Sequence, residues 1–294
     1  MNKRLTLQAG WVFIAPSLFV LMVFFFGPVF LALIMSFSDF DIYSLADIDN
    51  LRWIGLDNYF KLVQTPLFWK ALGNTFYLAI FGTPLSIAVS LGLAMALNVK
   101  NAPFKGFFRI VLFTPYVTTL VAAAAVWHFI LDTRSGLLNQ GLRLLGLEGL
   151  DWLGDPHYSL PAIILFSIWK SFGYNMLILL AALQKIPDEL YEAATLDGAN
   201  AWQRLLHVTL PGIMPSFWMV SLITLAGYFQ LFAEPYVMTQ GGPAQSTLTL
   251  MYFMYNEGFK WWNLGTASAT AFVLFIMLLG ISVLSPKNEA ETKP

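Results

Sequence analysis

The chain has 294 residues, of which 57% are apolar and only 11% are charged, and its formal net charge at pH 7 is −1. Soluble domains carry about 25% charged residues, so this composition excludes an ordinary soluble globular protein. The chain contains no cysteine, which excludes disulfides, thiolate metal sites and thiol nucleophiles.

Six apolar runs are long enough to cross a hydrocarbon core of about 30 Å as helices. In chain order they cover residues 11–37, 75–97, 110–131, 160–183, 213–233 and 264–284. Five of the six contain no Asp, Glu, Lys or Arg, and the fourth contains only Lys170. The runs are about twice as long as the strands of a membrane barrel, and a lipid-exposed open backbone is too costly. The predicted fold class is therefore all-α, a polytopic membrane protein with about six transmembrane helices.

The orientation is predicted from the basic residues in the connections between spans. Residues 1–10 carry Lys3 and Arg4, and the first apolar run is too long for a secretory signal peptide. We therefore expect a retained first helix with its N-terminus inside. Nine basic residues then lie in inner segments and six in outer ones, whereas the outer loops hold eleven acidic residues. Both termini, residues 1–10 and 285–294, are predicted to be cytoplasmic.

Catalytic and nucleotide-binding motifs are missing from the sequence. The three histidines, His128, His157 and His207, show no metal-ligand spacing, so we predict no metal site and no hydrolytic triad. No Gly-x-x-x-x-Gly-Lys-Ser/Thr motif occurs, so the chain has no P-loop of its own. The sequence predicts a subunit that is not an enzyme, and any energy has to come from a partner or from an ion gradient.

A polar segment, residues 185–212, separates the fourth and fifth spans. Acidic residues at its start favour a helix, because negative charge is stabilising near a helix N-terminus. Ala194 and Gly198 lie four residues apart on one face of this helix, and neither has more than a methyl group as a side chain. Such a face lets another backbone approach closely. Two interpretations remain open at this point: tight packing within the chain, or docking to a soluble partner.

The spacing within this segment resembles the EAA loop of ABC importer membrane subunits. The matching residues are, in order, Glu192, Ala193, Ala194, Gly198, Val208, Leu210 and Pro211. The family usually has isoleucine at the position of Val208. In that family, a short helix in this loop fits a groove of an ATPase subunit. The resemblance implies a coupling helix formed by Glu192, Ala193, Ala194 and Gly198, with Glu189 and Asp197 at its margins; residues 185–212 are termed the coupling loop.

The resemblance extends over most of the chain. Three further stretches, Trp53–Ile80, Ile186–Ala199 and Val237–Phe259, are similar to carbohydrate-importer permeases of the maltose (MalF) and glycerol-phosphate (UgpA) type. This implies the fold of a type I ABC importer permease in a bacterial cytoplasmic (inner) membrane. It also implies a second, MalG-like permease subunit, a dimeric MalK-like ABC ATPase that holds ATP and Mg, an extracytoplasmic solute-binding protein and a carbohydrate substrate. No cofactor on this chain and no nucleic acid partner are expected.

Polar residues inside the fourth and fifth spans mark a candidate substrate pathway, because such residues are costly in a membrane. They are Ser167, Lys170, Ser171, Tyr174, Asn175, Thr224, Tyr228 and Gln230. Hydroxyls, amides and aromatic faces suit a neutral sugar, although the same groups also serve as hydrogen bonds between helices. The resemblance implies that the sugar site is lined by Ser167, Ser171, Tyr174, Thr224, Tyr228 and Leu231. Leu231 there replaces a hydrogen-bonding residue.

Lys170 has two interpretations. A cation near the middle of the membrane can meet an anionic substrate, or it can be a structural or gating partner for another part of the chain. The run Trp169-Lys170 through Gly173 resembles a Trp-Lys/Arg-x-x-Gly pattern that recurs among sugar-importing relatives. We therefore favour the structural or gating role.

A turn that contains Gly241, Gly242 and Pro243 follows the fifth span. Its composition is typical of an exposed loop. The resemblance makes it part of the surface that faces the binding protein, and these three residues are termed the outer turn.

The sequence thus predicts the membrane-spanning permease subunit of an ATP-driven ABC importer for a maltose-like di- or oligosaccharide. Glycerol phosphate or another small polar solute is the alternative substrate class. An ion-coupled secondary transporter is a more remote alternative, since that class needs ionisable residues in several spans and only Lys170 and the marginal Glu234 qualify. An intramembrane hydrolase would need an acid or metal pair that the sequence does not offer.

Overall fold

The computed structural model describes residues 3–46, 51–99 and 103–283. Within these ranges the chain is helical, and the only β-type contact is an isolated bridge between Ser38 and Trp53. The all-α prediction is confirmed. It holds because a helix in lipid satisfies its backbone polar groups without a partner strand.

The described residues form helices with the following bounds. They are α1 (Lys3–Leu21), α2 (Gly27–Ser36), α3 (Ile42–Ala46), α4 (Asp57–Gln64), α5 (Pro66–Tyr77), α6 (Thr83–Asn98), α7 (Lys105–Val117), α8 (Leu120–Ile130), α9 (Leu137–Leu144), α10 (Pro156–Leu183), α11 (Asp188–Leu196), α12 (Ala201–Arg204), α13 (Leu210–Phe229), α14 (Ala233–Met238), α15 (Leu250–Tyr255) and α16 (Leu264–Val283). π-Helical turns lie at Met22–Phe26, Leu78–Gly82, Leu205–Thr209 and Asn256–Lys260. The first three of these turns join the helices on either side into continuous helical stretches.

The membrane-spanning stretches agree in number with the prediction of about six. Five continuous stretches are long and apolar enough to cross a bilayer: Phe13–Ser36, Pro66–Asn98, Pro156–Leu183, Ala201–Phe229 and Leu264–Val283. The bent pair α7 and α8 provides a sixth when it is counted as one span. These counts refer to the described part of the chain.

The third predicted span, residues 110–131, consists of two helices rather than one. The directions of α7 and α8 differ by 100°. Thr118 and Thr119, which separate them, have extended backbones with ψ of 148° and 138°. Pro115 weakens the end of α7, because a proline inside a helix removes a backbone hydrogen bond and clashes with the preceding turn. The apolar composition continues across the break and hides it from a sequence-based prediction.

Other spans differ from the predicted bounds at their ends. The second helical stretch begins at Pro66 rather than at residue 75, and the fifth ends at Phe229 rather than at residue 233. The fifth ends there because Gln230 leaves the helical backbone, with φ of −97° and ψ of 12°. The first helix begins at Lys3, and the predicted tail, residues 285–294, lies outside the described residues.

The chain divides into two compact units. The first comprises Met1–Pro66 and Phe253–Phe275, and the second comprises Leu67–Tyr252 and Ile276–Pro294. All residues of the predicted pathway, the coupling loop and the outer turn belong to the second unit.

The first unit contains an apolar helical stretch that is exposed within the described part of the chain. The most apolar window of the stretch Phe13–Ser36 is 0% buried. The end of this stretch is fixed by Asn58, whose buried amide donates hydrogen bonds to the backbone oxygens of Ser36 and Ser38 at 3.0 and 2.7 Å. An apolar surface of this length needs lipid or another protein to cover it.

Helix α10 is the central element of the second unit, and it contributes to three apolar clusters. The near cluster, on the side of the coupling loop, contains Ala94, Leu97, Met176, Leu179, Leu180, Ala182, Leu183, Ile213 and Val220. The far cluster contains Ala123, Ala124, Trp127, Leu131, Ala162, Phe166 and Met238. The third contains Leu78, Ala79, Leu160, Ile163, Ile164, Tyr228, Phe229 and Leu231. Because α10 runs unbroken through all three clusters, it holds the unit together.

The N-terminus of α10 is fixed by Asp155. The Asp155 carboxylate accepts a hydrogen bond of 2.8 Å from the backbone N–H of His157, which is a helix N-cap contact. This hydrogen bond lowers the pKa of Asp155 below its usual value, because it stabilises the charged carboxylate. The start of the central helix is thus defined by a single charged cap.

The loop between α8 and α10 is organised by Asn139, whose side chain is fully buried. Its Oδ1 accepts hydrogen bonds from the backbone N–H of Leu150 at 3.0 Å and from the indole N–H of Trp152 at 2.9 Å. Its Nδ2 donates to the backbone oxygens of Leu150 at 2.8 Å and of Thr133 at 3.1 Å. One amide therefore connects both halves of the loop.

We expect Asn139→Leu to loosen this loop while the spans remain inserted. Each buried polar group that loses its partner costs about 1–3 kcal/mol, and several would lose theirs at once. The measurement is the rate of limited proteolysis between residues 132 and 155 in intact membranes. The matched control is Gln140→Leu at the neighbouring exposed position. Equal cleavage rates in the two variants would contradict the role of Asn139.

Candidate functional site

The predicted coupling helix is α11. It follows Pro187, whose backbone is extended, and Asp188 and Glu189 occupy its first turn. These two carboxylates lie near the free N–H groups of the helix N-terminus, where negative charge is stabilising. The acidic start of the EAA motif therefore has a local structural reason.

The C-terminus of α11 is closed by a Schellman motif. The N–H of Ala199 donates to the oxygen of Ala194 at 2.9 Å, and the N–H of Gly198 donates to the oxygen of Thr195 at 3.1 Å. Gly198 has a φ of +76°, in the left-handed region that favours glycine. The glycine of the motif is thus required by the backbone of the chain itself.

The segment after Gly198 leads back into the fifth span through a short turn and a second helix. Asn200 and Gln203 form a capping box that starts α12. The π-helical turn Leu205–Thr209 then joins α12 to α13. α11 is connected to the base of this stretch by a hydrogen bond of 3.1 Å between the hydroxyls of Tyr191 and Thr209. The coupling helix is therefore tied to the base of the fifth span by this hydrogen bond, and the stretch from α12 to α13 is continuous helix.

The outward surface of α11 is open. Glu192, Ala193, Asp197 and Gly198 are exposed, and Leu196 is 88% exposed. A β-carbon added at Gly198 would meet no other atom within 4 Å. A groove of about 1230 Å³ lies beside this helix. Of the two small residues predicted to form one face of the helix, Gly198 is exposed and packs against no other part of the described chain, whereas Ala194 is half-buried.

Lys170 of the fourth span contacts the broken third span. Its Nζ donates hydrogen bonds of 2.8 Å to the backbone oxygens of Pro115, Tyr116 and Thr118. An ammonium group has three protons, so all of them are engaged. In this arrangement Lys170 is a structural partner of the chain and has no proton left for an anionic substrate.

The other polar residues of the fourth span have mixed surroundings. Asn175 is buried and its Nδ2 donates to the hydroxyl of Thr224 at 3.0 Å, which joins α10 to α13. Ser171 donates to the backbone oxygen of Ser167 at 2.7 Å. The hydroxyl of Ser167 is buried and has no hydrogen-bond partner within the described part of the chain. Half-buried Tyr174 keeps part of its ring accessible.

Tyr228 of the fifth span is buried rather than open to a pathway in this conformation. Its hydroxyl makes a hydrogen bond of 2.9 Å with the hydroxyl of Ser86, and the residue is 4% exposed. Its ring covers Gly82, where an added β-carbon would collide with the ring. Ser86 and Gly82 were missed in the sequence, although a serine and a glycine inside an apolar span are signals of close helix packing.

The two remaining predicted pathway residues, at the end of the fifth span, differ in their exposure. Gln230 is exposed, whereas Leu231 is buried and packs in the third cluster. The structure therefore brings Asn175 and Thr224 together, but it does not gather all the predicted pathway residues into one polar cavity.

The outer turn is fixed to the start of the second span. Gly241 has a φ of +82°, and the peptide between Gly242 and Pro243 is cis. Lys70 donates to the backbone oxygen of Ala244 at 2.7 Å. Asn74 donates to the backbone oxygens of Gln245 and Leu248 at 3.1 and 2.9 Å. Lys70 and Asn74 were also missed, although their four-residue spacing places both polar groups on one face of α5.

Metal-binding groups are not clustered in the described residues. Within residues 3–46, 51–99 and 103–283, no group of three or more His, Cys, Asp or Glu side chains is arranged to hold a metal ion.

Taken together, the apolar helical spans and the protruding, capped helix between the fourth and fifth spans define a membrane-embedded transport subunit. Residues 88–285 match the family model of binding-protein-dependent transport system inner membrane components. The chain belongs to this family, the permeases of ABC transporters.

Named relatives cover almost the whole chain. The lactose transport system permease protein LacF of Rhizobium radiobacter is 36% identical over 282 residues, which cover 94% of this chain and 91% of that protein. The arabinooligosaccharides transport system permease protein AraP of Bacillus subtilis is 34% identical over 287 residues, covering 97% and 90%. In a crystal structure of a bacterial alginate ABC transporter with a pentasaccharide-bound periplasmic protein, one chain matches with a TM-score of 0.79 at 23% identity, covering 95% and 92%. That likeness shows the same fold.

We expect Tyr228→Phe and Ser86→Ala each to lower the free energy of unfolding by about 1 kcal/mol, because each removes one buried hydrogen bond. The double variant should cost hardly more than either single one, since both changes remove the same contact. The measurement is unfolding of the purified chain in detergent. Fully additive losses would contradict the contact.

Proposed function

We propose that the chain is the membrane-spanning permease subunit of an ATP-driven importer that receives a di- or oligosaccharide from a solute-binding protein. The observation that carries this proposal is the coupling loop. It presents a short helix with an open face, which ends at Gly198 in a Schellman motif and is hydrogen-bonded to the base of the fifth span.

The proposed energy source is a dimeric ABC ATPase that binds ATP and Mg. This chain has no P-loop, so hydrolysis is assigned to that partner. Its movement would reach the spans as rigid-body displacement of α11, because Tyr191 ties α11 to Thr209 and the stretch from α12 to α13 is continuous helix. We expect Leu196 and Gly198 to lie at the contact with the ATPase.

The proposed substrate is a neutral sugar. LacF and AraP are by name transporters of lactose and of arabinooligosaccharides. The polar groups of the fourth and fifth spans suit hydroxyl-rich ligands, and half-buried Tyr174 offers an aromatic face. Glycerol phosphate is disfavoured because the three protons of Lys170 already bond backbone oxygens.

Two further partners complete the proposed assembly. A second permease subunit would cover the uncovered apolar stretch Phe13–Ser36 together with lipid. The solute-binding protein would meet the outer turn, whose position Lys70 and Asn74 fix. With the coupling loop inside, both termini are assigned to the cytoplasm, as the basic residues favour.

We expect Gly198→Leu to leave the chain inserted but to lower coupled transport at least tenfold. A leucine side chain would occupy the open face, and a loss of about 1.4 kcal/mol in ATPase contact already weakens binding tenfold. The measurement is sugar uptake by cells or vesicles that contain the complete transporter.

The matched control for this variant is Gly146→Leu. Gly146 has a φ of +78° and no atom within 4 Å of an added β-carbon, so it tests the same backbone strain in an outer loop. Gly198→Asn adds a second comparison, since asparagine tolerates this backbone region better than leucine. Equal uptake by the Gly198→Leu and Gly146→Leu variants would contradict the docking role of Gly198.

We expect neutral di- or oligosaccharides, and not glycerol 3-phosphate, to raise ATP hydrolysis by the purified complex of this chain with its co-purifying proteins. The reason is that the pathway offers hydroxyls and amides but no unengaged cation in the fourth span. The measurement is ATP hydrolysis in lipid nanodiscs with the binding protein present. Stimulation by the phosphate ester alone would contradict the substrate assignment.

A further inference from the structure

The break in the third span interrupts a ladder of backbone hydrogen bonds. In a continuous helix, the oxygens of Pro115 and Tyr116 would accept from N–H groups four residues later. Those N–H groups belong to Thr119, which is extended, and to Leu120, which starts the next helix after the break. In the hydrocarbon layer no water replaces them, so the oxygens need another donor. Lys170 donates to both oxygens at 2.8 Å, and the Thr118 hydroxyl donates to the oxygen of Pro115 as well, at 2.7 Å.

The charge of Lys170 also matches its position. The C-terminal end of a helix carries partial negative charge, and Lys170 faces that end of α7. Its Nζ lies 5.8 Å from the centre of the Tyr116 ring, which attracts a cation as well. An ammonium group and an open helix end are both costly in a membrane. Placed against each other, each offsets part of the cost of the other.

A single face of α10 holds the end of α7. Gly173 and Tyr174 lie three and four residues after Lys170, so all three residues share that face. A β-carbon added at Gly173 would collide with the backbone of Leu112, so the glycine is what lets the two helices touch. The ring of Tyr174 stacks on Tyr116 with centroids 4.9 Å apart and planes at 17°. Three independent contacts therefore fix α7 against α10.

The break in the third span lies between the near cluster and the far cluster of the second unit. α7 packs against the near cluster through Leu112, whereas α8 contributes Trp127 to the far cluster. α10 passes through both clusters, with Met176 in the near cluster and Phe166 in the far one. Lys170 lies between these two residues. A change in the angle between α7 and α8 would therefore change how the coupling-loop side of the unit meets the opposite side.

We propose that Lys170 is the positioning residue of a hinge formed by the break between α7 and α8. Its three hydrogen bonds hold the hinge while the spans on either side move as rigid bodies during transport. The contact follows from the chain alone, whereas its consequence for transport rests on the proposed function. Lys170 acts through the third span and does not touch the sugar.

The hinge angle is measurable with two spin labels, because the chain has no cysteine of its own. Gly106→Cys lies at the start of α7 with open space around it, and Phe129→Cys lies near the end of α8 at a site 78% exposed. The distance distribution between the two labels, from pulsed electron double resonance on the complete transporter in nanodiscs, reports the angle without requiring transport.

We expect a graded result for three variants at position 170. Lys170→Arg keeps charge and donors and should retain a narrow distribution and near-normal turnover. Lys170→Gln keeps two donor protons and should be intermediate. Lys170→Met keeps the length but no donor; its distribution should broaden and the maximal transport rate should fall about tenfold, with the KM for sugar changed less than about twofold. Lys61→Met, at an exposed position in α4, is the control for loss of a lysine and should match the unmodified chain.

The opposite outcomes are distinct. A raised KM with an unchanged distance distribution would show that Lys170 meets the substrate, and the hinge proposal would fall. Two results for the Lys170→Met variant would show that Lys170 serves only in packing. One is an unchanged distance distribution and transport rate, and the other is a lower protein level with normal transport per molecule. Either result would overturn the hinge proposal. If the Lys170→Met variant does not assemble, the comparison of Lys170→Arg with Lys170→Gln decides. A narrower distance distribution for Lys170→Arg supports the proposal, and equal distributions for the two variants reject it. A transporter that moves no sugar at all contradicts the proposed function, while the distances still test the contact.

Discussion

Backbone hydrogen bonding in the hydrocarbon layer is the constraint on which the rest of the structure depends. Lipid offers no donors or acceptors, so every span has to satisfy its own peptide groups. The continuous stretches do so even where π-helical turns such as Leu78–Gly82 and Leu205–Thr209 interrupt the regular ladder. Where the third span leaves the helix altogether, Lys170 provides the missing donors. The one charged residue of the predicted spans is therefore explained by the one sharp break among the described spans.

The same constraint links the coupling loop to the pathway. Helices with complete hydrogen bonding resist bending, so a displacement applied at one end arrives at the other. α11 is bonded to the base of the fifth span through Tyr191 and Thr209, and that span carries Thr224, which is bonded to Asn175 of α10. In the proposed transport cycle, a push on the open face at Gly198 would pass through these contacts to α10, which joins all three apolar clusters. This part of the proposed cycle would need the hinge and no catalytic group.

The sequence predicts well the features that depend on local composition. The long apolar runs indicated the spans, and the charged start and glycine end of α11 were visible in the EAA spacing because caps are local. Features that depend on distant contacts were not visible. Ser86 and Tyr228 are 142 residues apart, so nothing local pairs them. The break at Thr118 and Thr119 was hidden because threonine and proline do not interrupt an apolar run in composition. Lys170 stood out as costly, but its partners became identifiable only when the break was known.

We propose that this chain passes on mechanical work and does not generate it. The most direct measurement is sugar accumulation in sealed vesicles that contain the purified chain alone, compared with vesicles that contain it with its co-purifying permease, ATPase and binding protein. We expect accumulation against a gradient only in the second case, and only with ATP. Accumulation by the isolated chain, driven by an ion gradient, would show that the chain is a transporter with its own energy source.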